Sequence, residues 1–205
     1  MLSLLVHLSR RHFAAAKEVV DVLLGLIALV VSLPVLAGCA AIIKLSSRGP
    51  VLYTQIRIGK GGKPFRMYKL RTMHVNAEMD TGPVWASKRD PRIVRSCAWM
   101  RRSHVDELPQ LINVLRGQMS LVGPRPERPE ILRELGKAYP QITKRLEVRP
   151  GITGLAQIRN GYDTSVADYE QKLKADLEYI AKRCWGMELR ILARTLARFH
   201  DSAAH

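Results

Sequence analysis

Across 205 residues the chain carries 33 lysines and arginines against 18 acids, a formal charge of +15. That length supports one well-buried domain with an appendage, and the charge calls for an anionic partner: nucleic acid, a phospholipid surface or a phosphorylated substrate. Cys39, Cys97 and Cys184 are odd in number and far apart, which speaks against a disulfide framework, and the histidines form no His-x-x-x-His or His/Cys cluster that would suit zinc.

Residues 22–43 are apolar almost throughout, bounded by Asp21 and Lys44. At 1.5 Å per residue, this run of ~22 residues just matches a ~30 Å hydrocarbon core. A cleaved signal peptide fits poorly, because the run is too long and Lys17, Glu18 and Asp21 directly precede it. Pro34 removes a backbone hydrogen bond near the middle and bends the helix. Basic residues stand on both flanks: Arg10, Arg11 and Lys17 before the run, Lys44, Arg48, Arg57, Lys60, Lys63 and Arg66 after it. Both ends therefore favour the cytoplasm. A re-entrant helix pair broken at Pro34 satisfies both features, with Ser32 capping a carbonyl that the proline frees. A bitopic helix with a proline kink is the alternative on the same residues.

Farther along, Ser46-Ser47-Arg48-Gly49-Pro50 reads as a turn, residues 51–56 as a strand, 59–64 as a hairpin loop and 65–70 as the returning strand. Gly-Lys-Gly-Gly-Lys lacks the Walker A spacing, so Lys60 and Lys63 read as a solvated loop or a headgroup contact. Asp106 and Glu107 follow Arg101-Arg102-Ser103-His104-Val105. Acids at a helix start complement the macrodipole, and Ser103 suits an N-cap. Between arginines and ahead of a rigid arginine-bearing loop, the same pair suits metal-assisted chemistry on phosphate.

An apolar helix over 108–115 stops before Gly117. Gly123-Pro124-Arg125-Pro126-Glu127 is then stiff and extended, a way to fix an arginine where it meets phosphate. Pro129–Ala138 reads as helix, 149–154 as a tight basic turn and 165–199 as mostly helix. In that last stretch Leu189, Leu192, Leu196 and Phe199 share one face, and Arg190, Arg194 and Arg198 another. The pattern suits a helix lying on a membrane or one packed on the domain with a solvated face.

Several motifs follow one another in a fixed order: Lys17 and Asp21, Ile43-Lys44, Gly49-Pro50-Val51, Gln55-x-Arg57-x-Gly59, Tyr68-Lys69-Leu70-Arg71-Thr72-Met73, and Asp106-Glu107-Leu108-Pro109-Gln110-Leu111. Asn113-Val114-Leu115, Met119-Ser120-Leu121-Val122-Gly123-Pro124-Arg125-Pro126 and Arg149-Pro150-Gly151-Ile152-Thr153-Gly154 complete the set. In this order they resemble the bacterial sugar transferases, in the form of a small monotopic phosphoglycosyl transferase. The resemblance implies an α/β fold, mostly helical with short strands. A membrane segment over 1–45 with a re-entrant helix, broken at Ser32 and Pro34, precedes a compact catalytic domain over 46–205 with surface amphipathic helices. It implies the cytoplasmic face of the bacterial inner membrane.

The implied reaction moves sugar-1-phosphate from a UDP-sugar to undecaprenyl phosphate and releases UMP, starting an exopolysaccharide, O-antigen or glycoprotein glycan. Asp106 is then the nucleophile that forms an aspartyl phosphosugar, and Glu107 a Mg²⁺ ligand. Arg102, Arg125, Arg149, Lys69 and Arg71 are the phosphate contacts. Cations are needed because a carboxylate approaching a diphosphate is otherwise repelled. The chain departs from the family pattern at Glu18, Ser32-Leu33-Pro34, Gln118, Asn160-Gly161-Tyr162 and Glu188, and residues 157–165 are the segment expected to bear on sugar choice. Two other functions compete. A membrane-tethered nucleic-acid binder is disfavoured by an aromatic content of 6% and the lack of a recognised motif, so no nucleic-acid partner is expected. A non-catalytic scaffold of a polysaccharide assembly complex is disfavoured by the intact acid pair and Arg125.

Overall fold

The computed structural model describes residues 2–75, 77, 90–159 and 166–203, with backbone alone for 2–11, 166–168 and 198–203. It opens with α1, Leu2–Ser46, one helix of 45 residues. Pro34 lies inside α1 and does not end it, so the expected division into two helices at the proline is not seen in the secondary structure. A proline removes one N–H, and the hydrogen bonds of the flanking turns still hold the helix together. Ser32 bonds within this region as expected, but its hydroxyl donates to the Leu29 carbonyl at 2.9 Å. The carbonyl left without its helical donor by Pro34 is that of Val30, four residues before it.

One face of α1 belongs to the core, since Lys17, Asp21, Gly25, Ser32, Cys39 and Ile43 are buried at helical spacing. Cys39 and Ile43 join Leu70, Val94, Cys97 and Met100 in one apolar cluster, where fully burying a side chain such as Ile43 stabilises by ~2 kcal/mol. Between these two stretches, residues 26–38 are exposed or half-exposed apart from Ser32.

β1, Leu52–Ile58, pairs antiparallel with β2, Pro64–Leu70, from Leu52↔Leu70 to Ile58↔Pro64, as the alternation over 51–70 suggests. Gly49 precedes β1 with φ of 123°. A Cβ there would lie 2.0 Å from an Arg71 guanidinium nitrogen, so only glycine fits the turn. A short helix α2, Ala98–Arg102, leads through a 3-10 stretch, Val105–Gln110, into α3, Leu111–Leu115. β3, Ser120–Val122, then runs parallel to β4, Gly151–Thr153.

Between β3 and β4 lies α4, Pro129–Ala138, at the bounds read from the sequence. After β4 come α5, Leu155–Arg159, α6, Val166–Lys182, and α7, Trp185–Ala203. A second cluster packs Val122, Leu155, Ala156, Ile158, Ala175, Tyr179 and Ile191. In α7 the face turned inward is Glu188 and Ile191, whereas Leu189 and Leu196 stay exposed. The leucine stripe is therefore divided: Leu192 packs against this cluster, while Leu189 and Leu196 lie outside it, beside Arg190 and Arg194. Among the described residues the result is a mostly helical molecule with two small two-stranded sheets.

Candidate active site

α2 ends where His104 adopts a left-handed conformation, φ 55° and ψ 14°, which histidine visits more readily than most residues other than glycine. Ser103 does not cap the next helix. Its hydroxyl donates back to the Trp99 carbonyl at 2.9 Å, the i−4 bonding typical of serine near helix ends. The turn at His104 starts the 3-10 stretch that carries Asp106 and Glu107, both buried. At three residues per turn, neighbouring side chains diverge by about 120°, so the two carboxylates have different surroundings.

Glu107 accepts Lys69 Nζ at 2.8 Å on Oε1. It accepts Arg125 through Nη2 at 2.5 Å on Oε1 and Nη1 at 3.1 Å on Oε2, the two-pronged geometry that makes arginine–carboxylate pairs strong. Burial alone would raise the Glu107 pKa, but Arg125 and Lys69 outweigh it and hold the carboxyl well below its usual range. Burial lowers the Lys69 pKa, with Glu107 opposing. Asp106 shows no hydrogen bond to its carboxylate in the described structure. Burial first, and then the Glu107 charge, push its pKa up to about 6, against the pull of Lys69, Arg101 and Arg125. One acid is thus clamped with its pKa held low, and its neighbour is unclamped with its pKa pushed up to about 6.

Each partner is placed by a different device. Lys69 lies on β2, whose outer edge is closed by the Asn113 side chain. Asn113 Oδ1 accepts the Tyr68 N–H at 3.1 Å, and Nδ2 donates to the Arg66 carbonyl at 2.7 Å and to Gln118 Oε1 at 2.7 Å. The amide imitates a neighbouring strand and ties β2 to α3, just after the acid pair. Arg125 follows Gly123, where a Cβ would lie 2.5 Å from the Arg149 carbonyl oxygen. At Gly151 a Cβ would lie 2.1 Å from the Gly123 nitrogen. The two motifs that bear these glycines cross backbone to backbone, joined by Gly123 N–H to the Thr153 carbonyl at 2.8 Å and Gly151 N–H to the Pro124 carbonyl at 2.9 Å.

Of the phosphate contacts expected from sequence, Lys69 and Arg125 meet at the acid pair. The other three lie elsewhere. Arg71 is buried and donates to the carbonyls of Arg48 and Ser47 at 2.7 and 2.9 Å, holding the turn after α1. Arg149 pairs with Glu18 of α1 at 3.1 Å. Arg102 is exposed. Arg101, half-buried on the preceding position, is the α2 arginine whose charge acts on Asp106. Two adjacent arginines at the end of a five-residue helix give no hint of which one turns inward, so the sequence alone does not choose between them. Residues 160–165, most of the segment expected to bear on sugar choice, lie outside the described residues.

The donor set bears on the expected Mg²⁺. Among the described residues no three His, Cys, Asp or Glu side chains come together as a cage. Mg²⁺ commonly sits on one or two carboxylates together with substrate phosphates, and the acid pair fits that pattern. Glu107 commits three acceptor positions to Lys69 and Arg125 out of about four on a carboxylate. Asp106 is therefore the freer oxygen donor of the two.

A long apolar helix is thus packed on an α/β body that carries a buried acid pair set against lysine and arginine. Comparison with known proteins is specific: the family model described as bacterial sugar transferase matches residues 12–202. A Bacillus subtilis (strain 168) protein, provisionally named an undecaprenyl-phosphate N-acetylgalactosaminyl 1-phosphate transferase, is 50% identical over 135 residues, 66% of this chain and 75% of its own. An Aeromonas hydrophila UDP-N-acetylgalactosamine-undecaprenyl-phosphate N-acetylgalactosaminephosphotransferase is 38% identical over 90% of this chain and 43% of its own. A Caulobacter vibrioides UDP-glucose:undecaprenyl-phosphate glucose-1-phosphate transferase is 41% identical over 88% of this chain and 68% of its own. The chain thus spans less than half the length of the Aeromonas relative. The chain belongs to the bacterial sugar transferase family, as a phosphoglycosyl transferase.

Proposed function

We propose that this enzyme transfers sugar-1-phosphate from a UDP-sugar to undecaprenyl phosphate at the cytoplasmic face of the inner membrane, releasing UMP and starting a glycan. The observation that carries the mechanism is the unequal acid pair: Glu107 clamped by Lys69 and Arg125, Asp106 unbonded beside it. The ionised Asp106 attacks the sugar-bearing phosphorus, and the bond from that phosphorus to the bridging oxygen breaks. UMP leaves with the electron pair, and an acyl phosphate links Asp106 to the sugar phosphate. A phosphate oxygen of undecaprenyl phosphate then attacks the same phosphorus. The Asp106 carboxylate is regenerated, and undecaprenyl diphosphate sugar departs.

Lys69, Arg101 and Arg125 place positive charge around the reacting carboxylate, which offsets repulsion from the diphosphate and stabilises charge that builds on the phosphoryl oxygens. Mg²⁺, held by Asp106 and the remaining acceptor position of Glu107 together with diphosphate oxygens, would add further neutralisation.

The membrane arrangement is supported by which parts of α1 are free. Residues 17–25 and 39–43 both contribute buried side chains, and 26–38 lie largely exposed between them. That free stretch is ~20 Å long at 1.5 Å per residue, short of a ~30 Å hydrocarbon core. Within it Leu26, Ile27, Val30, Val31, Leu33 and Val35 are exposed, and the exposed Val22, Leu23 and Leu24 adjoin it. Removing them from water is worth on the order of 10 kcal/mol or more, so this part belongs in lipid while its flanks stay on the protein.

The test is UMP release from a panel of UDP-sugars with full-length enzyme in membranes, with and without undecaprenyl phosphate and Mg²⁺. Release from one donor, stimulated by the acceptor, is expected. No release from any UDP-sugar in the panel would defeat the reading.

A further inference from the structure

We infer that Arg145 is a positioning residue: it fixes the backbone of Arg125 so that the Arg125 guanidinium meets Glu107. The inference rests on the transferase reading of the site and extends it to a buried cluster that the reaction does not touch.

The loop that bears Arg125 is short of its own donors, because Pro124, Pro126 and Pro129 have no N–H. Its four consecutive carbonyls, 124 to 127, are each satisfied from outside. Gly151 N–H reaches the Pro124 carbonyl at 2.9 Å and Ile58 N–H the Glu127 carbonyl at 3.0 Å. Arg57 Nη1 reaches the Pro126 carbonyl at 3.0 Å, and Arg145 Nη2 the Arg125 carbonyl at 2.8 Å. Arg145 comes from the 3-10 stretch Pro140–Glu147 and is 4% exposed. Its other nitrogens are fixed on α6, Nε to Asp176 Oδ2 at 2.8 Å and Nη1 to the Tyr169 hydroxyl at 2.7 Å. Glu127, in the same loop, is anchored to α6 through Lys172 at 3.0 Å.

The Arg125 main chain is thus tied to α6 while its side chain lies on Glu107. A buried ion pair is weak evidence for stability, because well-packed apolar residues often serve a fold as well. An apolar replacement would lack the one thing seen here, a planar fork that bonds in three directions at once. Lysine cannot reproduce that fork either. A shift of about 1 Å in a group near the reacting atoms is enough to cost ~100-fold in rate.

The experiment is a double-mutant cycle in full-length enzyme in nanodiscs, with UMP release as the readout. Arg145→Lys is expected to lower kcat by about 10- to 100-fold, with KM for the UDP-sugar changed by less than about threefold. In an Arg125→Lys background the same substitution is expected to have little further effect, because its route to the site is gone. The Arg125 Nε–H resonance, assigned by its loss in Arg125→Lys, is expected to shift in Arg145→Lys.

Tyr169→Phe removes one Arg145 acceptor without altering charge. It carries the same cycle if Arg145→Lys does not fold, with a smaller kcat loss of about three- to tenfold. Equal losses in both Arg125 backgrounds, or an unmoved Arg125 resonance, would overturn the inference. Failure of wild-type enzyme to release UMP would instead count against the transferase reading, and the resonance would still decide whether Arg145 places Arg125.

Discussion

At the scale of single residues, the chemistry turns on two adjacent acids with opposite surroundings. Burial and the Glu107 charge push the Asp106 pKa up to about 6, and the proposed mechanism needs this carboxyl ionised. Enzyme rate is therefore expected to rise about tenfold from pH 5 to pH 7, with the limb centred near 6, under saturating substrate. A flat profile across that range would exclude Asp106 as the titrating nucleophile. The sign for stability is opposite. A folded pKa above the unfolded value of 3.8 means that the native state loses stability as pH rises from about 4 through 6. Asp106→Asn is thus expected to melt a few degrees above wild type at pH 7.5 and together with it at pH 4, measured by thermal scans.

Much of this centre was legible in the chain. Two acids ahead of a proline-held arginine raise the expectation of a phosphate site, and Lys69 and Arg125 meet at Glu107. Arg71 and Arg149 looked equally suitable, because a sequence does not show that carbonyls or Glu18 already occupy a guanidinium. The expected assignment of metal to Glu107 and phosphorus to Asp106 is sharpened in one respect: the clamp leaves Asp106 as the freer oxygen donor.

At the scale of elements, the site depends on one backbone crossing and on how α1 docks. β3 and β4 approach through Gly123 and Gly151, and a methyl group on Gly151 would overlap the facing backbone. Gly151→Ala is therefore expected to cost several kcal/mol, on the scale of severe overpacking, and to lower Tm by about 10 °C or more. An unchanged Tm would contradict the crossing. α1 is held by Lys17, whose Nζ lies 3.1 Å from Asp21 and 2.8 Å from Glu188, while Ser120 donates to Asp21 at 2.7 Å and Tyr179 to Glu188 at 2.6 Å. Lys17→Met leaves two buried carboxylates without their cation, a loss of about 3–5 kcal/mol, and thermal unfolding in detergent is the measurement.

The β1–β2 hairpin, α4 and the helical character of the C-terminal stretch are legible in the sequence, whereas the division of that stretch into α6 and α7 is not. Nor is the parallel β3–β4 pair, because each strand has three residues, too few for any period to register. Pro34 was read as a break. The local sequence shows the lost hydrogen bond but not the helical turns on either side that keep α1 continuous.

At the scale of the whole molecule, two flanks of one helix are built into the same protein body, and an apolar stretch of α1 between them is left exposed. The exposed Trp185, Leu189 and Leu196 of α7 lie beside Arg190 and Arg194, and Trp185 meets Phe13 of α1 edge-on at 5.2 Å between ring centres. Single cysteines placed near residue 5 and near residue 60, in a chain with the native cysteines replaced, are both expected to resist an impermeant thiol reagent added outside intact cells. Labelling of the N-terminal position alone would show that α1 crosses the bilayer.

The proposed role of Asp106, to carry the sugar phosphate between donor and lipid, is tested by mass spectrometry of enzyme incubated with its UDP-sugar in the absence of undecaprenyl phosphate. One UMP released per active enzyme is expected, with a sugar-phosphate adduct on the peptide that contains Asp106, absent from Asp106→Asn and discharged by added undecaprenyl phosphate. UMP released only when undecaprenyl phosphate is present, with no adduct at any time, would contradict it.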